Sequence, residues 1–112
     1  LGTRNGIVKR VNPELLGKES WEVIGLKNGD EVVGAVEMGD EDLELCFVTQ
    51  GAALLHFPAS AVRPQGRSGG GVAGIKAKDP VIFFGAAPRR GSSVVTVAAS
   101  SPAADSCFLF WR

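Results

Sequence analysis

TRNGIVKRVNPE (residues 3–14) and TQGAALLHFPAS (residues 49–60) align without a gap at an offset of 46 residues. Each opens on Thr, crosses a short Gly-bearing turn and enters an apolar stretch, so the chain repeats one structural unit. The segment VIGLKNGDEVVGAV (23–36) then matches AGIKAKDPVIFFGA (73–86), which sets Asp79 opposite Asp30. A third start appears at Val95-Thr96, 47 residues beyond Val48-Thr49. The period divides the chain into a first repeat at 1–46, a second at 47–92, and 93–112 as the start of a third repeat or a divergent tail.

Strand signals fill each repeat. GIVKRV, WEVIGL, EVVGAV, LELCFV, ALLHF, VAGIKA, PVIFF and SVVTVA are short, rich in Val, Ile and Phe, and partly alternating. Turn clusters separate them, and Asn28-Gly29-Asp30 between WEVIGLK and EVVGAV reads as a hairpin because Asn-Gly adopts positive φ readily. Only Pro13 to Lys18 hints at a helical turn. About four strands per repeat is the blade period of an antiparallel β-propeller, and other all-β repeat arrays share it. Each blade buries its apolar face only against a neighbour.

Composition narrows the function classes. The chain has 112 residues, and no apolar run approaches the roughly 20 residues that cross a bilayer as a helix. It opens at Leu1 without an initiator Met, and LGTRNGIVKR lacks the apolar core of a secretory signal. The expectation is a fragment of a longer cytosolic protein with no membrane partner. Formal net charge is zero, yet residues 1–46 hold five Lys/Arg against ten Asp/Glu while 47–112 hold seven against two. A neutral total therefore conceals a dipolar chain. Cys46 and Cys107 stand far apart without a CxxC, so two buried free thiols are expected rather than a zinc site or a disulfide scaffold.

GTRNGIVKRV, EVIGLKNGDEVVGAV and LELCFVTQGAALLHFPASAVRPQGRSGGGVAGIK, in that order, resemble the repeat in the C-terminal domain of the A subunit of bacterial type IIA topoisomerases, DNA gyrase and topoisomerase IV. The resemblance covers residues 2 to about 86. It implies a β-pinwheel, a propeller-like disc of four-stranded blades, with about two blades and the start of a third in this chain. It implies also that a basic rim binds and bends duplex DNA in support of DNA topology control. ATP hydrolysis then belongs to the B subunit, DNA cleavage belongs to the remainder of the A subunit, and the location is cytoplasmic, at the nucleoid. The chain has no tyrosine, the residue type that cleaves DNA in this family.

Three features depart from the family pattern. The gyrase wrapping signature is QRRGGKG, and Gln65 to Gly71 (QGRSGGG) keeps the Gln, one Arg and two Gly but lacks the second Arg and the Lys. His56 stands where the family has Arg before Phe. Residues 87–112, CFLFWR above all, match nothing in the pattern.

If DNA is the partner, cations are the functional groups, because neutralised phosphates supply most of the affinity and carry no sequence information. Lys9 and Arg10 follow the Asn5-Gly6 turn, Arg63 and Arg67 flank Pro64 to Gly66, and Lys76 and Lys78 extend the stripe, with Arg89 and Arg90 beyond. These are the expected DNA contacts, the plain alternative being solubilising surface charge. GGGVAG (69–74) formally satisfies G-x-G-x-x-G, but Pro80 and VIFF leave no helix after it, so a nucleotide cofactor is not expected. Asp40, Glu41 and Asp42 read as a solvated hairpin tip, not a metal site. His56 lacks a recognisable nucleophile partner and is placed on the rim, and Trp21 is expected in the first blade.

No cofactor, metal or catalytic constellation is indicated, so an enzymatic site within the chain is a distant third reading. The alternative to DNA binding is a propeller-type interaction or scaffold fragment that has lost its DNA rim. Two repeats cannot close a ring, so exposed blade edges are expected to drive self-association or to be covered by the tail.

Overall fold

The computed structural model describes the backbone of residues 1–14, 16–39, 42–100 and 103–111, and the side chains of those up to residue 95. The chain is all-β: β1 (Gly2–Thr3), β2 (Ile7–Val8), β3 (Val32–Gly34), β4 (Leu43–Thr49), β5 (Leu54–Pro58), β6 (Val72–Ala73), β7 (Val81–Pro88), β8 (Ser92–Ser100) and β9 (Ala103–Trp111). A single 3-10 turn at Ala59–Ala61 interrupts the described residues, which contain no α-helix. The strands form three antiparallel sheets, in the orders β3-β1-β2-β6, β5-β4-β7 and β8-β9.

The two halves share one pattern of strand pairing and turn closure around each Thr. Thr3 pairs with Val32 and Gly2 with Gly34, with a register break between them; Thr49 pairs with Val81 and Val48 with Phe83, with a break at the same place. The turn that follows each Thr closes alike, Gly6 N–H donating to Thr3 O and Ala52 N–H to Thr49 O, both at 3.0 Å. Arg4 N–H reaches Glu31 O at 2.8 Å, and Gln50 N–H reaches Pro80 O at 2.9 Å. The sheets nevertheless cross the sequence period. β4 begins before residue 47, and β6 of the second half pairs with β2 of the first, Ile7 opposite Ala73 and Val8 opposite Val72.

The Gly-rich stretch before β7 permits that crossing. A Cβ on Gly74 would lie 2.6 Å from Cε2 of Phe47 and 3.0 Å from Gly6 O. Any larger residue would push β6 off the first sheet. At this position the bare backbone lets Gly74 N–H donate to Gly6 O at 2.8 Å.

β4 is buried on both faces, which is why LELCFV reads as a nearly continuous apolar run. Leu45 and Phe47 join Val8, Ala59, Val62, Val81 and Phe84 in the main core, while Cys46 and Val48 join Ala87 in a second. Phe47 is fully buried, with ring centroids 4.9 Å from Phe84 and 6.2 Å from Phe57. Truncating so central a ring costs about 3–5 kcal/mol in comparable cores.

Several local expectations are corrected. WEVIGL forms no strand, and Trp21, expected inside the first blade, is 37% exposed. The Asn28-Gly29 turn does form, with Gly29 at φ +82 and Asp30 N–H donating to Lys27 O, but no strand precedes it, so it is not a hairpin. VAGIKA contributes only Val72–Ala73 to a strand. The described residues between Pro13 and Lys18 form no helical turn. Cys46 is a buried free thiol, whereas the Cys107 side chain lies outside the described residues.

Candidate nucleic-acid interface

β2 fixes the geometry of the cationic residues. Because β6 runs antiparallel to it, residues 63–67 fall beyond the C-terminal end of β2 and residues 76–78 beyond its N-terminal end. The six cations expected from the sequence therefore divide into two groups.

Lys9 immediately follows β2 and is 2% exposed. Its Nζ donates to Arg67 O at 2.8 Å and to Gly69 O at 2.6 Å. Desolvation pushes its pKa down, and the Glu22 carboxylate opposes the fall. An ammonium buried on two carbonyls is a clamp on the 67–69 turn and not a group presented to a ligand. That placement departs from the expected DNA contact.

The backbones at Arg10 and Arg63 run close together, since Arg10 bridges Pro64 in parallel and its carbonyl accepts Gln65 N–H at 2.8 Å. Arg10 Nη1 makes a long contact of 3.4 Å to Val62 O, the only side-chain bond of Arg10 among the described residues. Arg63 is exposed. Arg67 pairs through Nε with Glu14 Oε2 at 3.2 Å, both side chains being nearly half exposed. At the other end, Lys76 and Lys78 are exposed and line a shallow groove with Asn5, Ile7 and Ile75. Ile75 N–H and Gly74 N–H both donate to Gly6 O, which holds that segment against the first turn. Among the described residues Arg63, Lys76 and Lys78 have no ion pair.

The loop Gln65 to Gly71 is bound up within the chain. Gln65 Oε1 accepts Gly71 N–H at 2.9 Å, Gly66 O accepts Gly69 N–H, and Gly69 O accepts Gly25 N–H as well as Lys9. β6 and an irregular stretch follow it, so the helix that a dinucleotide loop must open is missing.

Other sequence candidates fall differently. Arg89 pairs with Asp42 at 2.8 Å, Arg90 is exposed, and Asp40 and Glu41 lie outside the described residues. His56 Nδ1 sits 3.2 Å from Glu44 Oε2, so that position carries a carboxylate beside the imidazole. Arg4, which no sequence motif singles out, sits on the first turn and pairs with Glu31 at 3.5 Å. Nothing in its sequence neighbourhood distinguishes it, because only the fold brings 31 beside 4. Among the described residues no cluster of His, Cys, Asp and Glu could hold a metal ion, and no helix is long and apolar enough to cross a membrane.

Residues 43–86 match the family described as DNA gyrase C-terminal domain, beta-propeller. The chain is similar to the DNA gyrase A subunit of Helicobacter pylori strain J99, 35% identical over 88 residues that make up 75% of this chain and 11% of that protein. It is similar also to the DNA gyrase A subunit of Mycolicibacterium smegmatis, 38% identical over 81 residues, 68% of this chain and 10% of the relative. The Chlamydia trachomatis counterpart is 29% identical over 86 residues, 74% of this chain and 10% of its own length. The chain thus spans about a tenth of the length of these curated relatives. No solved structure gives a significant match. With two halves repeating one hydrogen-bond pattern in antiparallel sheets and the match running from β4 into β7, the chain belongs to the DNA gyrase C-terminal β-propeller family.

Proposed function

We propose that this chain is a non-catalytic DNA-binding part of the A subunit of a type IIA topoisomerase, touching the duplex backbone without reading sequence. The observation that carries the proposal is the gyrase family match across β4–β7, the segment that includes four of the five presented cations. Arg10 and Arg63 form one contact group with Arg67 beside them, and Lys76 and Lys78 form a second. Lys9 serves this surface indirectly, by holding the turn that carries Arg67. The ATP-hydrolysing B subunit, together with the remainder of the A subunit, supplies the chemistry, in the bacterial cytoplasm at the nucleoid.

The supporting physics is counterion release. If all five presented cations neutralise phosphates, log K falls with log salt at a slope of about −4.5. Fluorescence anisotropy on a random-sequence duplex across a salt series reads this slope. Lack of binding at low salt, or an unchanged slope for the Arg63→Ala and Lys76→Ala double variant, sinks the proposal.

The scaffold reading has its own support. Arg4, Arg67 and Arg89 each face a carboxylate, so a good part of the exposed positive charge is neutralised within the chain. On that reading duplex DNA gives no measurable slope at any salt.

A further inference from the structure

The chain has three asparagines, and they differ in the residue that follows. Asn12 precedes Pro13, which has no backbone N–H, whereas Asn5 and Asn28 each precede a glycine. An Asn-Gly pair closes on itself when the glycine nitrogen reaches the asparagine Cγ, an approach that no Cβ obstructs. Each of the two also follows a cation, Arg4 or Lys27, and both side chains are exposed, so local sequence and solvent access distinguish them little. The glycines are held very differently.

Gly6 is buried. Its N–H donates to Thr3 O at 3.0 Å, and its carbonyl accepts Gly74 N–H at 2.8 Å and Ile75 N–H at 3.0 Å. Gly29 is exposed, an added Cβ there would meet nothing within 4 Å, and among the described residues its N–H donates to no acceptor. Turning the Gly29 nitrogen toward Cγ therefore breaks no bond of that nitrogen, whereas the same motion at Gly6 detaches it from Thr3.

We propose that Asn28 deamidates spontaneously in the folded chain while Asn5 is protected, and that the isoaspartyl product loosens the first turn. The Gly29 nitrogen, having lost its proton to hydroxide, bonds to Cγ of Asn28. The Cγ–Nδ2 bond breaks, and ammonia leaves with a proton taken from water. Water then opens the succinimide at either carbonyl, its OH going to the carbon and its proton to the ring nitrogen. Opening at Cγ leaves aspartate at position 28, and opening at the backbone carbonyl leaves isoaspartate, whose chain runs on through Cβ and is longer by a methylene. No oxidant or reductant takes part. The extra methylene falls inside the turn that Asp30 N–H closes on Lys27 O at 3.0 Å. That turn places Asp30, whose Oδ1 accepts Asn5 N–H at 3.0 Å and Glu31 N–H at 2.9 Å. A longer backbone carries Asp30 away from Asn5, and the first Thr turn loses this side-chain tie. The inference stands independently of the DNA-binding proposal.

Ageing the whole 112-residue chain in mildly alkaline buffer tests it. Peptide mapping by mass spectrometry should find NH2 replaced by OH at Asn28 at a rate roughly tenfold or more above that at Asn5, whose turn must first open. In urea, where both glycines are free, the two sites should convert at similar rates. An isoaspartyl carboxyl methyltransferase with a labelled methyl donor should mark position 28 of the aged chain. In the aged, methyl-accepting chain the Asn5 amide should exchange hydrogen roughly tenfold or more faster than in the fresh chain. Asn28→Ser should age without methyl incorporation at this turn and keep the slow Asn5 amide. Equal rates at Asn5 and Asn28 in the folded chain, or the same preference persisting in urea, overturns the selectivity. An Asn5 amide that exchanges alike before and after conversion overturns the coupling between the turns.

Discussion

Thr3 and Thr49, 46 residues apart, each accept through Oγ1 the backbone N–H four residues on, Ile7 and Ala53, at 3.1 Å in both cases. Both threonines are buried, so each hydroxyl is held in place to accept the turn's N–H. Replacing either Oγ by a methyl leaves an unpaired donor in the turn that starts a repeat. Thr3→Val and Thr49→Val should each lose about 1–2 kcal/mol in urea unfolding. Thr→Ser, which keeps the hydroxyl, should recover most of that loss. A Val variant as stable as the parent contradicts the assignment.

The two turns differ at one position, and the difference predicts opposite mutational signs. Gly6 sits at φ +85 and its equivalent Ala52 at φ +66, a conformation that costs an L residue with a Cβ about 1 kcal/mol or more. Ala52→Gly relieves that strain and gives back part of it in unfolded-state entropy, so a net gain of about 0.5 kcal/mol is expected. Gly6→Ala adds the strain and drives a Cβ into Ile75 O and Cγ2, so it should cost about 2 kcal/mol or more and loosen β6. Thermal melts of the pair of variants check both signs.

How much of the fold is legible in the sequence depends on whether a segment's partner lies nearby. The Thr-turn repeat, β4, β5 and β7 can be read directly, because their apolar patterns answer to neighbours within one sheet. WEVIGL and VAGIKA read alike, but a strand needs a partner edge. Val72–Ala73 finds β2 across the repeat and Val23–Ile24 finds none within the described chain. The site splits in the same way. Exposure of Arg63, Lys76 and Lys78 follows from their loops, whereas the burial of Lys9 depends on carbonyls 58 and 60 residues away. No local pattern announces such a contact.

Cys46 gives the fold an alkaline limit. Burial pushes its thiol from 9.0 up to about 11. Below pH 9 the thiol is protonated whether the chain is folded or unfolded, and it adds no pH dependence. Between 9 and 11 the unfolded chain releases the proton and the folded chain keeps it, so stability falls with rising pH. The loss should reach about 2–3 kcal/mol at the top of that window. Cys46→Ala should flatten this part of the stability profile, and Cys107, common to both chains, cancels in the difference. Native Cys46 should also resist thiol reagents at pH 8. Equal alkaline slopes for the two chains count against the burial.

Lys9 and Arg63 separate a structural cation from a presented one. Among the described residues, Lys9→Met removes the only donor to Arg67 O and one of two to Gly69 O, so the expected loss is about 1–3 kcal/mol of stability. Its effect on DNA should come through loosening of the 67–69 turn. At a temperature where the variant is folded, the salt slope should stay close to that of the parent. Arg63→Ala breaks no ion pair and removes no core side chain, so it should leave stability within about 0.5 kcal/mol. It should nevertheless lower the magnitude of the salt slope by about 0.9, the signature of one lost phosphate contact. A Lys9→Met slope reduced by as much as that of Arg63→Ala would show that the ammonium leaves its two carbonyls to meet DNA.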